Sequence, residues 1–251
     1  MNDINAPLPP RLPLSPSGQV ELLPLGQNPQ EHEPITNLIS AVEAVLRQPR
    51  RLMLQLRGPG APTLIGIMLF GMLVCSLVYG VVVGTFSMGT QLWAAPVKIA
   101  GGLLVSGAIC LPSLYIFACI SGSQATLQEL GGLVAGLLLL TSVLLIGFAP
   151  VAWLFSQSTQ SLAWMGALHL LFWFIATCFG LRFLVEGFSH SRARTRGGLS
   201  TWIIIFMLVC AQMTTALRPI VGKADSFFPA EKKFFLTHWG ECLNPAPAAP
   251  H

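Results

Sequence analysis

At the end of the chain's last long apolar run, the stretch CAQMTTALRPIVG sets Gln212, Thr214, Thr215 and Arg218 close together. Amide and hydroxyl groups at such spacing can line a polar path or bond across helices. A charge near the middle of a bilayer is costly and marks function by default, so depth is the first question. Counted from Leu199, the run carries Arg218 to the outer interface, where its long side chain reaches headgroups, and Pro219 ends the helix. Gln212 and Thr215 stay inside, three residues apart on one face. With His169 in the preceding run, they are the candidate intramembrane polar contacts.

His169 could relay a proton or bind a metal, but a metal needs further ligands, and no other His, Asp or Glu lies at comparable depth. The expectation is a hydrogen bond across helices, contributing on the order of 1 kcal/mol. Gln212 and Thr215 receive the same reading; the alternative is a polar path shared by all three. Intramembrane proteolysis needs an Asp pair, a Ser with a His base, or HExxH, and acyl or glycosyl transfer usually needs a His or carboxylate at the interface. Only Glu186, His190 and His238 are candidates at an interface, and the topology below puts them on two faces. Arg182 and Glu186, four residues apart, form instead a candidate helix-end ion pair. Five of the six cysteines lie in apolar runs and Cys242 in a polar tail, with no zinc or redox spacing. No catalytic residue, metal or cofactor is therefore expected.

The elements that carry these residues follow from composition. Of 251 residues 53% are hydrophobic and only 10% charged, and between Arg57 and Arg182 the charges are Lys98 and Glu129 alone. Ordinary soluble domains carry roughly 25% charged residues, so the chain belongs to the membrane class. The net charge of +4 does not indicate nucleic acid, because the basic residues sit beside apolar runs without a stacked aromatic face.

Residues 1–34 are Pro-rich and polar, and the pattern predicts a disordered cytoplasmic tail without a cleavable signal. From Pro34, Ile35, Leu38, Ile39, Val42, Val45 and Leu46 recur at helical spacing, predicting an amphipathic interfacial helix and basic linker over 35–58, interrupted at Pro49. The same stripe would also serve a helix packed on the bundle. Five runs are long enough to cross a hydrocarbon core of about 30 Å. They fall at 64–86, 97–120, 130–155, 162–185 and 199–217, within a membrane bundle over 59–217. Lys98 is expected to snorkel from the second span, and Pro112 to kink it. Gly80 and Gly84, and Gly132 and Gly136, form GxxxG pairs read as close packing inside one bundle. In the tail, 218–251, SFFPAEKKFFLTHW predicts a second interfacial helix. Fold class is thus all-α: a polytopic transmembrane bundle of five spans with flanking interfacial amphipathic helices.

Arg47, Arg50, Arg51 and Arg57 precede the first span, and Arg192, Arg194 and Arg196 separate the fourth from the fifth. Five spans put both clusters on one side, which predicts a cytoplasmic amino terminus and a carboxyl tail outside.

A cytoplasmic tail, an amphipathic stretch ending in LRQPRRLMLQL, and five closely spaced spans resemble the Yip-domain membrane proteins over roughly residues 35–217. That family comprises five-span proteins of the early secretory pathway that engage Rab GTPases and organise membranes, with bacterial relatives. The signature DLYGP is absent, the chain's Tyr-Gly being Tyr79-Gly80 in the first span, and no site residue is carried over. The resemblance implies a non-enzymatic scaffold or accessory subunit in a bacterial inner membrane. Its expected partners are membrane lipid and a protein of the same membrane complex. The alternative is a transporter or channel component.

Overall fold

The computed structural model describes residues 25–86, 89, 91–158, 162–189 and 197–216. The expected amino-terminal tail up to residue 24, the basic loop with His190, and the tail with Arg218, His238 and Cys242 lie outside the described residues. Among those described, a short 3-10 turn (Pro29–His32) precedes seven α-helices: α1 (Leu38–Arg47), α2 (Pro49–Leu56), α3 (Ala61–Thr85), α4 (Gln91–Ile120), α5 (Leu127–Ser158), α6 (Leu162–Ser189) and α7 (Gly197–Ala216). The last five are long and apolar enough to cross a membrane.

The fold is organised around α5. Its 32 residues extend about 48 Å at 1.5 Å per residue, and every residue from 132 to 142 is buried. A helix apolar all round and enclosed all round is the core of its bundle. α3, α4 and α6 pack on it, whereas α7 packs chiefly along α4. Of the most apolar stretch of α5, 72% is buried, against 22% for α7, which leaves α7 as the outlying helix.

Close approaches fix the directions of the helices. A side chain on Gly132 would strike Leu56, one on Gly187 would meet Leu133, and one on Gly198 would meet Ser121 Oγ and the Phe117 carbonyl. The end of α2, the start of α5, the ends of α4 and α6 and the start of α7 therefore gather at one end of the bundle. That end carries Arg47, Arg50, Arg51 and Arg57; at the other, Trp93, Trp153 and Trp164 are exposed, as in an interfacial aromatic belt. Of the GxxxG glycines, Gly80, Gly132 and Gly136 serve contacts within this one chain. Gly80 abuts the Pro96 backbone of α4, and Gly136 faces the Phe183 ring.

Two expectations change in detail. The amphipathic segment forms two helices, because Gln48 leaves helical geometry (φ −133°) and Pro49 starts α2 with its φ already set for a first turn. The apolar stripe of that segment is only partly buried in the protein: Ile35 and Val45 join the main core with Ala41, Ala44, Leu52, Met53 and Leu56, whereas Ile39 and Leu46 of the same stripe stay exposed. Lys98, expected to reach the interface, is only 2% exposed. It belongs to a series at every fourth position of α4, Ala94, Lys98, Gly102, Ser106, Cys110, Leu114 and Ala118, all of it buried. One face of a helix turned inward carries its lysine with it.

Candidate functional site

Two polar constellations stand out, one inside the bundle and one at its basic end. Inside, His169 on α6 meets Tyr79 on α3: Tyr79 Oη and His169 Nδ1 lie 2.8 Å apart, with the rings edge to face at 83°. Tyr79 is 3% exposed, and its neighbours Val83, Ala95, Ala149, Phe172 and Ala176 are apolar. His169 Nε2 is buried and has no hydrogen-bond partner among the described residues. The pair ties together two helices that otherwise meet through α5. Its sequence signal was slight, since it required one of two tyrosines, ninety residues earlier, to be recognised as facing inward.

The other candidates do not join this pair. Thr215 is buried on α7 and its hydroxyl turns back to the Ala211 carbonyl at 3.5 Å, while Gln212 is half-buried on the same helix. His169 lies on α6, which packs on α5, whereas Gln212 and Thr215 lie on α7, which packs on α4.

The α7 helix is held by a residue that polar-site reasoning passed over. Trp202, fully buried, stacks on Phe206 and donates its indole N–H to the Cys110 carbonyl at 2.8 Å. Ser113 Oγ donates to the same carbonyl at 2.8 Å. Both donors act two residues before Pro112, whose missing N–H frees the Ala108 carbonyl rather than this one.

From the basic end, α1 and α2 form an elbow along the bundle: Leu56 of α2 meets Gly132 near the start of α5, and Leu38 of α1 reaches Gly71 of α3, beside Leu139 of α5. Ser40 Oγ accepts from the Asn37 N–H at 3.2 Å and caps α1. Arg51 of α2, 6% exposed, is the clasp. Its guanidinium donates to the Glu33 carbonyl (2.9 Å), Gln48 Oε1 (3.0 Å) and the Pro34 carbonyl (3.3 Å), and lies 3.7 Å from the Glu33 carboxylate. Gln55 assists, donating to the Glu33 carbonyl and accepting from the Ile35 N–H. The segment before α1 is thereby pinned to α2.

Glu31 supplies the second clasp. It is 5% exposed, accepts from Arg50 Nε at 2.7 Å and also accepts from the Gly26 N–H. Burial by itself would raise its pKa. The hydrogen bonds from Arg50 and Gly26, with the charges of Arg50 and His32, outweigh that and hold the carboxyl below its ordinary value.

Glu186 of α6 faces this elbow. With Arg47, Arg50, Arg51 and Glu31 it lines an open cleft of about 300 Å³. The ion pairs among the described residues are Arg50–Glu31, Arg51–Glu33 and Arg57–Glu129. The expected pairing of Arg182 with Glu186 is not formed: Glu186 turns to the elbow, and Arg182 stands exposed one turn away.

Compared with known protein families, curated proteins and solved structures, the chain matches none.

The two constellations differ in what they can do. The Tyr79–His169 pair is enclosed by apolar side chains and works as an interhelical tie. The basic end is open and charged, and joins residues 28–51 to Glu186 of α6, distant in sequence.

Proposed function

We propose that this protein is a non-enzymatic membrane scaffold or accessory subunit, and that the α1–α2 elbow is the surface through which it engages a protein partner. One observation carries the reading. α1 is fixed to the bundle by Ala41, Ala44 and Val45, yet Ile39 on its outer face is 80% exposed and Leu46 is 48% exposed, beside Glu43 and Arg47. An apolar pair on a pre-organised helix, rimmed by charge, suits docking because little ordering is left to offset on binding. The five-span layout with a basic elbow, resembling Yip-domain proteins, supports the same reading. The basic end is then the cytoplasmic one and the carboxyl tail lies outside, as the arginine distribution favours.

The test is purification from mild detergent of the intact chain and of a double variant, Ile39→Glu with Leu46→Glu. These exposed positions leave the buried stripe intact, so the variant should melt like the parent. The parent should carry a stoichiometric partner that the variant loses. A lone monomer in both preparations would sink the proposal.

A further inference from the structure

We infer that the cleft between the elbow and α6 is a binding site for the phosphate of an anionic phospholipid, one headgroup per chain. The first argument is charge. The cleft is lined by Arg47, Arg50 and Arg51 against Glu31 and Glu186, three positive charges to two negative, and Arg182 stands one turn before Glu186 on α6. Arg50 and Arg51 are matched by Glu31 and Glu33, which hold them in place. Arg47 and Arg182 are exposed and form no ion pair among the described residues. The surplus of one is the complement of a single phosphodiester, and a guanidinium presents the planar donors that such a group takes. The side-chain amides of Asn28, Gln30 and Gln48 on the cleft wall add neutral donors.

Depth favours a lipid over a soluble phosphate. From the exposed Trp164 to Glu186, α6 advances 22 residues, about 33 Å at its ordinary rise. A hydrocarbon core is about 30 Å thick, so a belt tryptophan at one interface puts Glu186 and the cleft at headgroup level on the other. Below the cleft the same face of α6 continues through Arg182 to Phe179 and Leu171, both 52% exposed. An acyl chain hanging from a phosphate in the cleft would lie along that apolar face. Nothing comparable would hold a free anion.

Native mass spectrometry of the full chain tests the site, with phosphatidylglycerol and phosphatidylcholine of identical acyl chains as the probes. Wild type should retain one phosphatidylglycerol in preference to phosphatidylcholine. Arg47→Gln and Arg182→Gln should each lower that affinity about fivefold, the weight of one basic residue at an anionic surface, without shifting the melting temperature. Equal retention of the two lipids by wild type, or unchanged phosphatidylglycerol binding in the double variant, would overturn the assignment. Inorganic phosphate forms the third arm. Retained phosphatidylglycerol that resists millimolar phosphate supports the lipid site, and its ready release by phosphate overturns it in favour of a soluble anion.

Discussion

His169 shows how a single polar side chain inside a membrane bundle is to be weighed. Its hydrogen bond to Tyr79 replaces water that the bilayer cannot supply, so Tyr79→Phe should cost on the order of 1 kcal/mol in a detergent melt. The double variant Tyr79→Phe with His169→Phe should lose less than the sum of the single changes, because neither ring then strands a buried polar partner. Additive losses would refute the tie. Glu31 yields a pH prediction of definite sign. Its folded pKa lies below the ordinary 4.5, so its contribution to holding the elbow is whole above about 4.5 and is lost as pH falls through the lower, folded value. Protection from hydrogen exchange over residues 26–57, measured against the intrinsic rate at each pH, should therefore fall on acidification from pH 5, and Glu31→Gln should flatten that dependence while lowering protection at pH 7. The sequence pointed to His169 as a tie but could not supply Tyr79. It likewise offered Arg182 as the partner of Glu186, since helical spacing reports proximity along one helix and is blind to a competing elbow from elsewhere.

The helices were the legible part of the sequence, and for a physical reason. A backbone in hydrocarbon must satisfy itself, so an apolar run of sufficient length has little choice but helix. All five runs form helices, and several of their ends extend beyond the apolar stretches, as at α5, where the polar residues Gln128, Glu129 and Ser156 continue the same ladder. The elbow was harder to read, because an apolar stripe on α1 and α2 looks the same whether it meets lipid or α5. The tight crossing of α3 and α4 was half visible as a GxxxG pair whose partner could not be named. That crossing gives the cleanest test at this scale. A methyl group on Gly80 would collide with the Pro96 backbone, which cannot swing aside as a side chain does, so Gly80→Ala should cost about 1–3 kcal/mol of stability. Gly66 lies on the same helix with open space around it, and Gly66→Ala should be neutral or better in the same melt.

At the scale of the whole molecule, the arginine and tryptophan ends define a direction across the bilayer. Ser123, in the α4–α5 connection, and Ser158, at the far end of α5, lie at opposite ends of the longest helix. Cysteines placed there, in a background with the native cysteines replaced, should react with an impermeant maleimide from opposite sides of sealed vesicles. Labelling of both from one side would break the proposed crossing. The arginine-bearing end should be the one reached only after permeabilisation of intact cells.

The central position of α5 also orders events in time. The elbow is made first, yet Leu52 and Leu56 seat against Gly136 and Gly132 of a span not yet synthesised. With roughly eighty residues between them and elongation at about 5–20 residues per second, the elbow waits some 4–16 s before its seat exists. During that interval its apolar stripe has the membrane surface and the adjoining α3 to rest on. The amphipathic character that reads as interfacial in the sequence is thus a requirement of the nascent chain, satisfied in part by lipid first and by α5 later.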